Sequence, residues 1–230
     1  ALDRAAWLGT HSPMALPAPV DAPGETALVD EANSKTMLAS WGVPVPQGAR
    51  CTRDSVVSES QRIGFPITLK GLGLAHKSEA GAVAVGLRDA DQLTAALNAM
   101  PSEIAEFLVE QTITGIVAEV LVSIRRSATL GWLITVGAGG VLTELWKDTQ
   151  CLLAPATAQD IQGALQKLRI APILNGYRGK PAANIDSLVS AILTLQHNVV
   201  GSALAEVELN PVLVTTTSSV AVDALIIEEK

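Results

Sequence analysis

The sequence predicts a protein of mixed helices and short strands, α/β or α+β in class and built in layers, on three observations. Apolar residues recur at helical spacing in several segments, as at Ile185, Leu188, Val189, Ile192 and Leu193 on the way to Val200. Short apolar runs bounded by Gly, Pro or Asp, such as Pro66-Ile-Thr-Leu-Lys70, read as strands. Helix-capping residues stand between the two kinds of segment: Asp30, Asp89 with Gln92, and Thr157 with Asp160. A chain of 230 residues fits one domain with room for two lobes. Its hydrophobic fraction of 48% supplies a core, and with aromatics at only 3% that core is mostly Ala, Val, Leu and Ile.

In chain order, residues 1–29 carry Pro13, Pro17, Pro19 and Pro23 among small residues and read as a linker, with a short helix at 2–8. The folded part is expected to begin at Asp30, which caps a helix over 31–40 that Gly42 and Pro44 end. A helix over 55–63 stops at Gly64, and the strand 66–70 leads into a Gly-containing loop, 71–81. A strand over 82–87 precedes the Asp89-capped helix, which ends before Pro101. Strands follow at 107–110, 117–124 and 132–136, with a lobe boundary near 108–116. A helix from Thr157 towards Arg169 and the helix 185–200 precede strands at 204–209, 212–214 and 220–222.

Composition also excludes partners. A net charge of −7 with few aromatics argues against nucleic acid, though not against nucleotides, which need only a local cationic pocket. The uncharged stretch 127–143 is interrupted by four glycines and is shorter than the ~20 apolar residues of a membrane helix. Cys51 and Cys151 are too few for a disulfide framework, so a reducing cytoplasm is the expected setting. The chain opens on Ala1 rather than Met and so reads as a processed product or a piece of a longer protein.

The C-terminal segment carries the most chemistry. Glu206, Glu208 and Asn210 alternate, so a strand puts all three on one face. Pro211 limits ladder pairing and suits an edge or a bulge. With Thr216 and Thr217 as a two-residue turn, Asn210 faces Asp223 across the hairpin, about 5 Å away. Carboxylates and an amide oxygen on adjacent strands suit Mg²⁺, which takes one or two protein carboxylates and completes its shell with phosphate and water. A solvated polar face on an edge hairpin is the competing reading. Lys70, at the end of its strand and ahead of glycines, offers an ammonium to phosphate. The loop from Gly71 to Gly81 lets backbone amides approach phosphate oxygens, although it matches neither the P-loop nor the dinucleotide fingerprint. Glu110, leading into Gln-Thr-Ile113-Thr-Gly115, and Glu119 are candidates to meet a base and a ribose, where a strand breaks and frees its backbone groups.

Taken together and in order, these segments resemble the ATP-grasp domain of NDP-forming acyl-CoA synthetases and, more distantly, the β subunit of succinyl-CoA synthetase. The resemblance runs from about Glu31 to Ala224. It is carried by Lys35…Leu38 with Gly42-Val-Pro-Val-Pro46, Gly64-Phe-Pro-Ile-Thr-Leu-Lys70, His76-Lys-Ser-Glu-Ala-Gly81, Val109-Glu110, Gly115…Glu119, Gly137-Ala-Gly-Gly-Val141…Asp148, Gly176-Tyr-Arg-Gly179…Asp186 and Glu206-Val-Glu-Leu-Asn-Pro211…Asp223.

The resemblance implies an ATP-grasp fold of two lobes with the nucleotide between them. It implies that Lys70 touches the phosphates and that His76, Lys77 and Ser78 occupy the loop over them. Glu110 and the backbone near Ile113 then meet adenine, Glu119 the ribose, and Asn210 with Asp223 hold Mg²⁺, with Glu208 a further ligand candidate. His76 and Lys70 become the catalytic pair, His76 carrying a phosphoryl group. The implied cofactors are ATP or ADP and Mg, and the implied reaction makes acyl-CoA from a carboxylic acid, CoA and ATP. The CoA-binding and acyl-activating domains would lie elsewhere on the same chain or on a second subunit. A nucleotide-sensing, non-catalytic ATP-grasp module fused to a protein acetyltransferase is the alternative.

Overall fold

The computed structural model describes residues 24–73, 81–140 and 143–230, with only the backbone of Glu144. Among these residues the elements run β1 (Thr26–Val29), α1 (Glu31–Ser40), β2 (Gly48–Thr52), α2 (Val56–Ile63), β3 (Ile67–Gly71), β4 (Val83–Leu87), α3 (Ala90–Ala99) and β5 (Glu106–Gln111). They continue with β6 (Ile116–Ser127), β7 (Gly131–Ala138), α4 (Thr143–Trp146), β8 (Thr149–Leu153), α5 (Ala158–Gln166), α6 (Ala171–Leu174), α7 (Ile185–Val199), β9 (Leu204–Thr215), β10 (Ser219–Ala221) and β11 (Ala224–Glu229).

The strands form two antiparallel sheets. The first has the order β2-β5-β3-β4, and α2 and α3 cover one of its faces. Alternation along β3 sends Ile67 and Leu69 into that core, where they meet Val56, Leu93, Phe107 and Val109. Thr68 and Lys70 consequently point to the opposite face, and both are buried there. Phe107 is the largest fully buried side chain of this lobe. Phe107→Ala is expected to destabilise the chain by about 3–5 kcal/mol, the usual cost of truncating a buried aromatic, as measured by urea denaturation. A loss below ~1 kcal/mol would show that the first lobe does not fold cooperatively with the rest.

The second sheet has the order β1-β11-β9-β6-β7-β8, with β10 paired to β9. Helices α5 and α7 bring Ile161, Leu165, Leu188, Ile192 and Leu195 to one face of it, against Val122, Ile124, Ile134, Val136 and Val207. Leu38 of α1 joins this second core, which ties that helix to the larger lobe.

The caps form as the sequence implies. Asp30 accepts from the Asn33 amide at 3.0 Å, and Thr157 and Asp160 make both arms of a capping box. The cap at Asp89 forms only one arm: Asp89 accepts from Gln92, but the Gln92 side chain bonds the Arg88 amide instead.

Three expectations need correction. The linker expected over 1–29 ends early, because Thr26–Val29 pairs with Ile226–Glu229 as the edge strand of the second sheet. Four residues after a Pro- and Gly-containing stretch have too little pattern to announce a strand. The strands at 204–209 and 212–214 are one continuous β9, and that strand is not at an edge. It lies between β11 and β6, and the register with β6 shifts between Val120 and Val122, opposite the missing N–H of Pro211. The strands β2, β8 and β11 were not anticipated; each draws its stability from sheet neighbours rather than from its own sequence. The hairpin register, by contrast, is as expected: Ser219 pairs with Val214, Ala221 with Val212, and the Asn210 amide bonds the Asp223 carbonyl at 3.3 Å. The helix expected at 2–8 lies outside the described residues.

Candidate functional site

The uncovered face of the first sheet carries Lys70 on β3 and Glu110 on β5, on strands that pair directly. Helix α1 sets Glu31 and Lys35 against them, and the link between β10 and β11 brings the carbonyl of Val222 to the same point. The Lys70 ammonium lies 2.6 Å from Glu31 Oε1, 2.5 Å from the Val222 oxygen and 3.2 Å from Glu110 Oε2. The Lys35 ammonium lies 2.5 Å from Glu110 Oε1, 2.7 Å from the same Val222 oxygen and 2.9 Å from Glu31 Oε1. All four side chains are less than a tenth exposed.

Two buried ammoniums and two buried carboxylates balance in charge. Breaking such a cluster by removing one partner typically costs about 3–5 kcal/mol, because a charge is left buried alone. The two lysines respond differently. Burial acts against the charge of Lys70, but Glu110, Glu31 and Asp223 outweigh it and hold its ammonium well above the usual lysine range. For Lys35 burial prevails, reinforced by the nearby charge of Lys70, and its pKa is lowered. Lys70 is thus firmly cationic at the place where the sequence expects a phosphate contact.

Asp223, close enough to act on Lys70, also borders the second half of the site. It stands opposite Asn210, and its Oδ1 accepts from the Ala224 amide at 3.0 Å. Asn210 Oδ1 in turn accepts from the Gly140 amide at 3.0 Å. Gly140 has φ +79, and a side chain there would strike the Glu119 carboxylate. Gly139 is equally constrained, since an added Cβ would fall 2.6 Å from the Val120 backbone. The glycines therefore let the loop after β7 lie flat against β6, with Glu119 and Asn210 on either side.

Glu208 shares the face of Asn210, and its pKa is raised by burial and by the neighbouring charges of Glu206 and Asp223. An acid-rich, partly desolvated face with an amide oxygen beside it fits a hard divalent cation that shares its shell with phosphate. Among the described residues no group of three or more His, Cys, Asp or Glu is placed to hold a metal ion by itself.

Glu119, Gly140, Asn210, Asp223, Lys70 and Glu110 thus follow one another along a connected path between the sheets. Glu110 spends its carboxylate on the two lysines. Ile113 lies apart from that path, in the crossover between β5 and β6. There, 111–115 and the turn 215–218 line a cavity of about 290 Å³. His76, Lys77 and Ser78 lie outside the described residues; Gly73 and Gly81, which flank them, both adopt positive φ. Asp148, one of the resembling positions, accepts from the amides of Arg169 and Ile170 and so anchors the start of α6. Sequence reasoning assigned no role to Glu31 and Lys35. Their spacing of four is a signal, but on a helix it ordinarily marks a solvated pair.

Comparison with known proteins identifies the fold that carries these residues. A family model described as an ATP-grasp domain matches residues 22–227. The β subunit of acetate–CoA ligase [ADP-forming] I from Pyrococcus furiosus is 26% identical over 209 residues, covering 86% of this chain and 90% of that protein. A trans-feruloyl-CoA synthase from an unknown prokaryotic organism is 27% identical and covers 92% of this chain, which spans only 32% of that longer protein. Among solved structures, two complexes of the dinucleotide forming acetyl-coenzyme A synthetase 1 of Ca. Korarchaeum cryptofilum align closely. One, with coenzyme A and Ca-AMPCP, has a TM-score of 0.80 at 28% identity and covers 88% of this chain and 93% of that one. The other, with coenzyme A and Mg-AMPPCP, has a TM-score of 0.77 at 29% identity, covers 86% and 92%, and is described with its phosphohistidine segment pointing towards the nucleotide binding site. With the family model spanning nearly all of the two-sheet fold, the chain belongs to the ATP-grasp domain family.

Proposed function

We propose that this chain is the ATP-binding, phosphoryl-transferring part of an ADP-forming acyl-CoA synthetase, an acid-thiol ligase. The observation that carries the reading is the path from Lys70 through Asp223 to Asn210, which sets a firmly charged ammonium beside a cation-ready carboxylate and amide between two sheets. The relatives named above support it, being ligases and synthetases that form CoA thioesters. Phosphoryl transfer asks little covalent chemistry of a protein beyond positioning and charge neutralisation. Lys70 meets the nucleotide phosphates, and Asn210 and Asp223, with Glu208 beside them, hold Mg²⁺, which supplies further neutralisation of the phosphate charge. The backbone near Ile113 meets adenine and Glu119 the ribose, while Glu110 holds the two lysines in place.

His76 takes the γ-phosphoryl group. Its imidazole nitrogen bonds to phosphorus as the bond to the ADP oxygen breaks, and ADP leaves. The group then passes to the carboxylic acid, and CoA displaces phosphate from the resulting acyl phosphate. The CoA-binding and acyl-activating parts belong to other domains or to a second subunit, as the β-subunit relative suggests. None of the described helices is long and apolar enough to cross a membrane.

The purified chain is expected to bind Mg·ADP in calorimetry. Given ATP, CoA and short carboxylic acids, it is expected to form no thioester until a CoA-binding partner is added. Thioester formation by the chain alone would overturn this division of labour, and failure to bind Mg·ADP would overturn the reading itself.

A further inference from the structure

We propose that Thr112 reads the nucleobase: its hydroxyl donates a hydrogen bond to ring nitrogen N7 of a purine seated in the cavity beside the β5–β6 crossover. The proposal rests on the nucleotide-binding reading above and adds the contact that selects the base. Its starting point is a pair of hydroxyls. Thr68 Oγ1 and Thr112 Oγ1 lie 2.9 Å apart, and among the described residues neither hydroxyl has another hydrogen-bond partner. Thr68 is 8% exposed, on the face of β3 that carries Lys70. Thr112 is half-buried and lines the cavity of about 290 Å³ between 111–115 and the turn 215–218.

Burial sets the direction of the bond between them. Each hydroxyl has one proton and two lone pairs. A buried donor without an acceptor is costly, whereas an oxygen leaves one lone pair unused more cheaply. Thr68 therefore donates and Thr112 accepts, so the Thr112 proton is turned away from the sheet, towards the cavity. The Thr112 amide bonds the Pro66 carbonyl at 3.0 Å, which fixes the backbone behind this donor. The other hydroxyls around the cavity differ. Thr215 spends its oxygen on the amides of Thr217 and Ser218, and Thr114 and Thr216 are exposed.

The lining of the cavity selects the class of ligand. None of its side chains is charged, which suits an uncharged heteroaromatic base rather than a phosphate. The phosphate anchor is close by: Thr68 and Lys70 are alternate residues of one strand, about 7 Å apart along it. A donor of fixed direction does not suit the 6-amino group of adenine, which is itself a donor. The acceptor beside that group is N7. The opposite edge of the base is left to the backbone N–H and C=O groups of the crossover. Guanine carries N7 as well, so Thr112 selects purines without separating the two.

The experiment compares Mg·ADP with Mg·7-deaza-ADP, in which a C–H replaces N7, by titration calorimetry on the full chain and on Thr112→Val. The unaltered chain is expected to bind 7-deaza-ADP about tenfold more weakly than ADP, because the hydroxyl then faces a group that cannot accept. Thr112→Val keeps the shape and removes the donor. It is expected to bind ADP about tenfold more weakly and to bind the two nucleotides within about twofold of each other. Equal affinity of the unaltered chain for both nucleotides overturns the proposal. So does a Thr112→Val chain that keeps the full preference for ADP, since another group then holds N7. Failure of the unaltered chain to bind Mg·ADP overturns the functional reading beneath it instead. If Thr112→Val does not fold, a crystal structure of the unaltered chain with Mg·ADP decides. N7 within about 3.2 Å of Thr112 Oγ1 supports the proposal, and a longer separation overturns it.

Discussion

Asp223→Ala is expected to lower Mg·ADP affinity by at least ~100-fold. Losing a group one shell removed from a metal already costs about 10–100-fold in metal affinity, and Asp223 is proposed as a direct ligand. A 100-fold loss corresponds to about 2.7 kcal/mol. The fold should survive, because Asp223 is only half-buried and the strands on either side of it keep their pairing. Asp223→Asn sharpens the result. An amide oxygen can still accept from the Ala224 amide, so the local turn is kept while the charge is lost. The neutral variant should also lower the pKa of the Lys70 ammonium, since Asp223 is one of the three carboxylates that raise it. Calorimetry with and without Mg²⁺ separates the effects: the loss should appear in the metal-dependent part of binding. An Asp223→Ala chain that binds Mg·ADP as well as the unaltered one would sink the metal assignment.

The second large effect is expected at His76. In the enzyme assembled with its CoA-binding partner, His76→Ala should lower turnover at saturating ATP by 10³-fold or more, on the order of what loss of a chemical group costs. Nucleotide affinity should change little. A neutral imidazole is a good nucleophile near pH 7 and divides one difficult transfer into two easier ones. If His76 only contacted phosphate, the substitution would instead raise the Michaelis constant and leave the maximal rate nearly intact. The two outcomes differ in kind. Acid-labile, base-stable phosphate on the unaltered chain should accompany the first, and near-normal turnover in the variant would end the carrier assignment.

Much of this molecule is legible in its residues because the signals are local. Asp30, Asp89 and Thr157 announce helix starts, since a capping side chain needs only the backbone amides a few residues on. The register of the C-terminal hairpin follows from a two-residue turn, so Asn210 and Asp223 could be paired from sequence. Lys70 could be placed at a strand end ahead of glycines for the same reason.

What the sequence could not determine depends on groups far apart along the chain. The strands β1 and β11 exist through each other and through β9, and their stability is a property of the sheet. Glu31 and Lys35 look like a surface pair on an ordinary helix until Glu110, 75 residues beyond Lys35, and Val222, 187 residues beyond it, close over them. Burial then changes their physics: in water such a pair contributes tenths of a kcal/mol, whereas removing one partner of a buried cluster leaves a charge uncompensated at a cost of about 3–5 kcal/mol. The sequence by itself determined most of the helices and the pairing of Asn210 with Asp223, and it singled out the residues proposed to face phosphate and metal. Only the tertiary structure decided that two lysines share one set of acceptors, because desolvation and the convergence of distant strands are not written into any local stretch of chain.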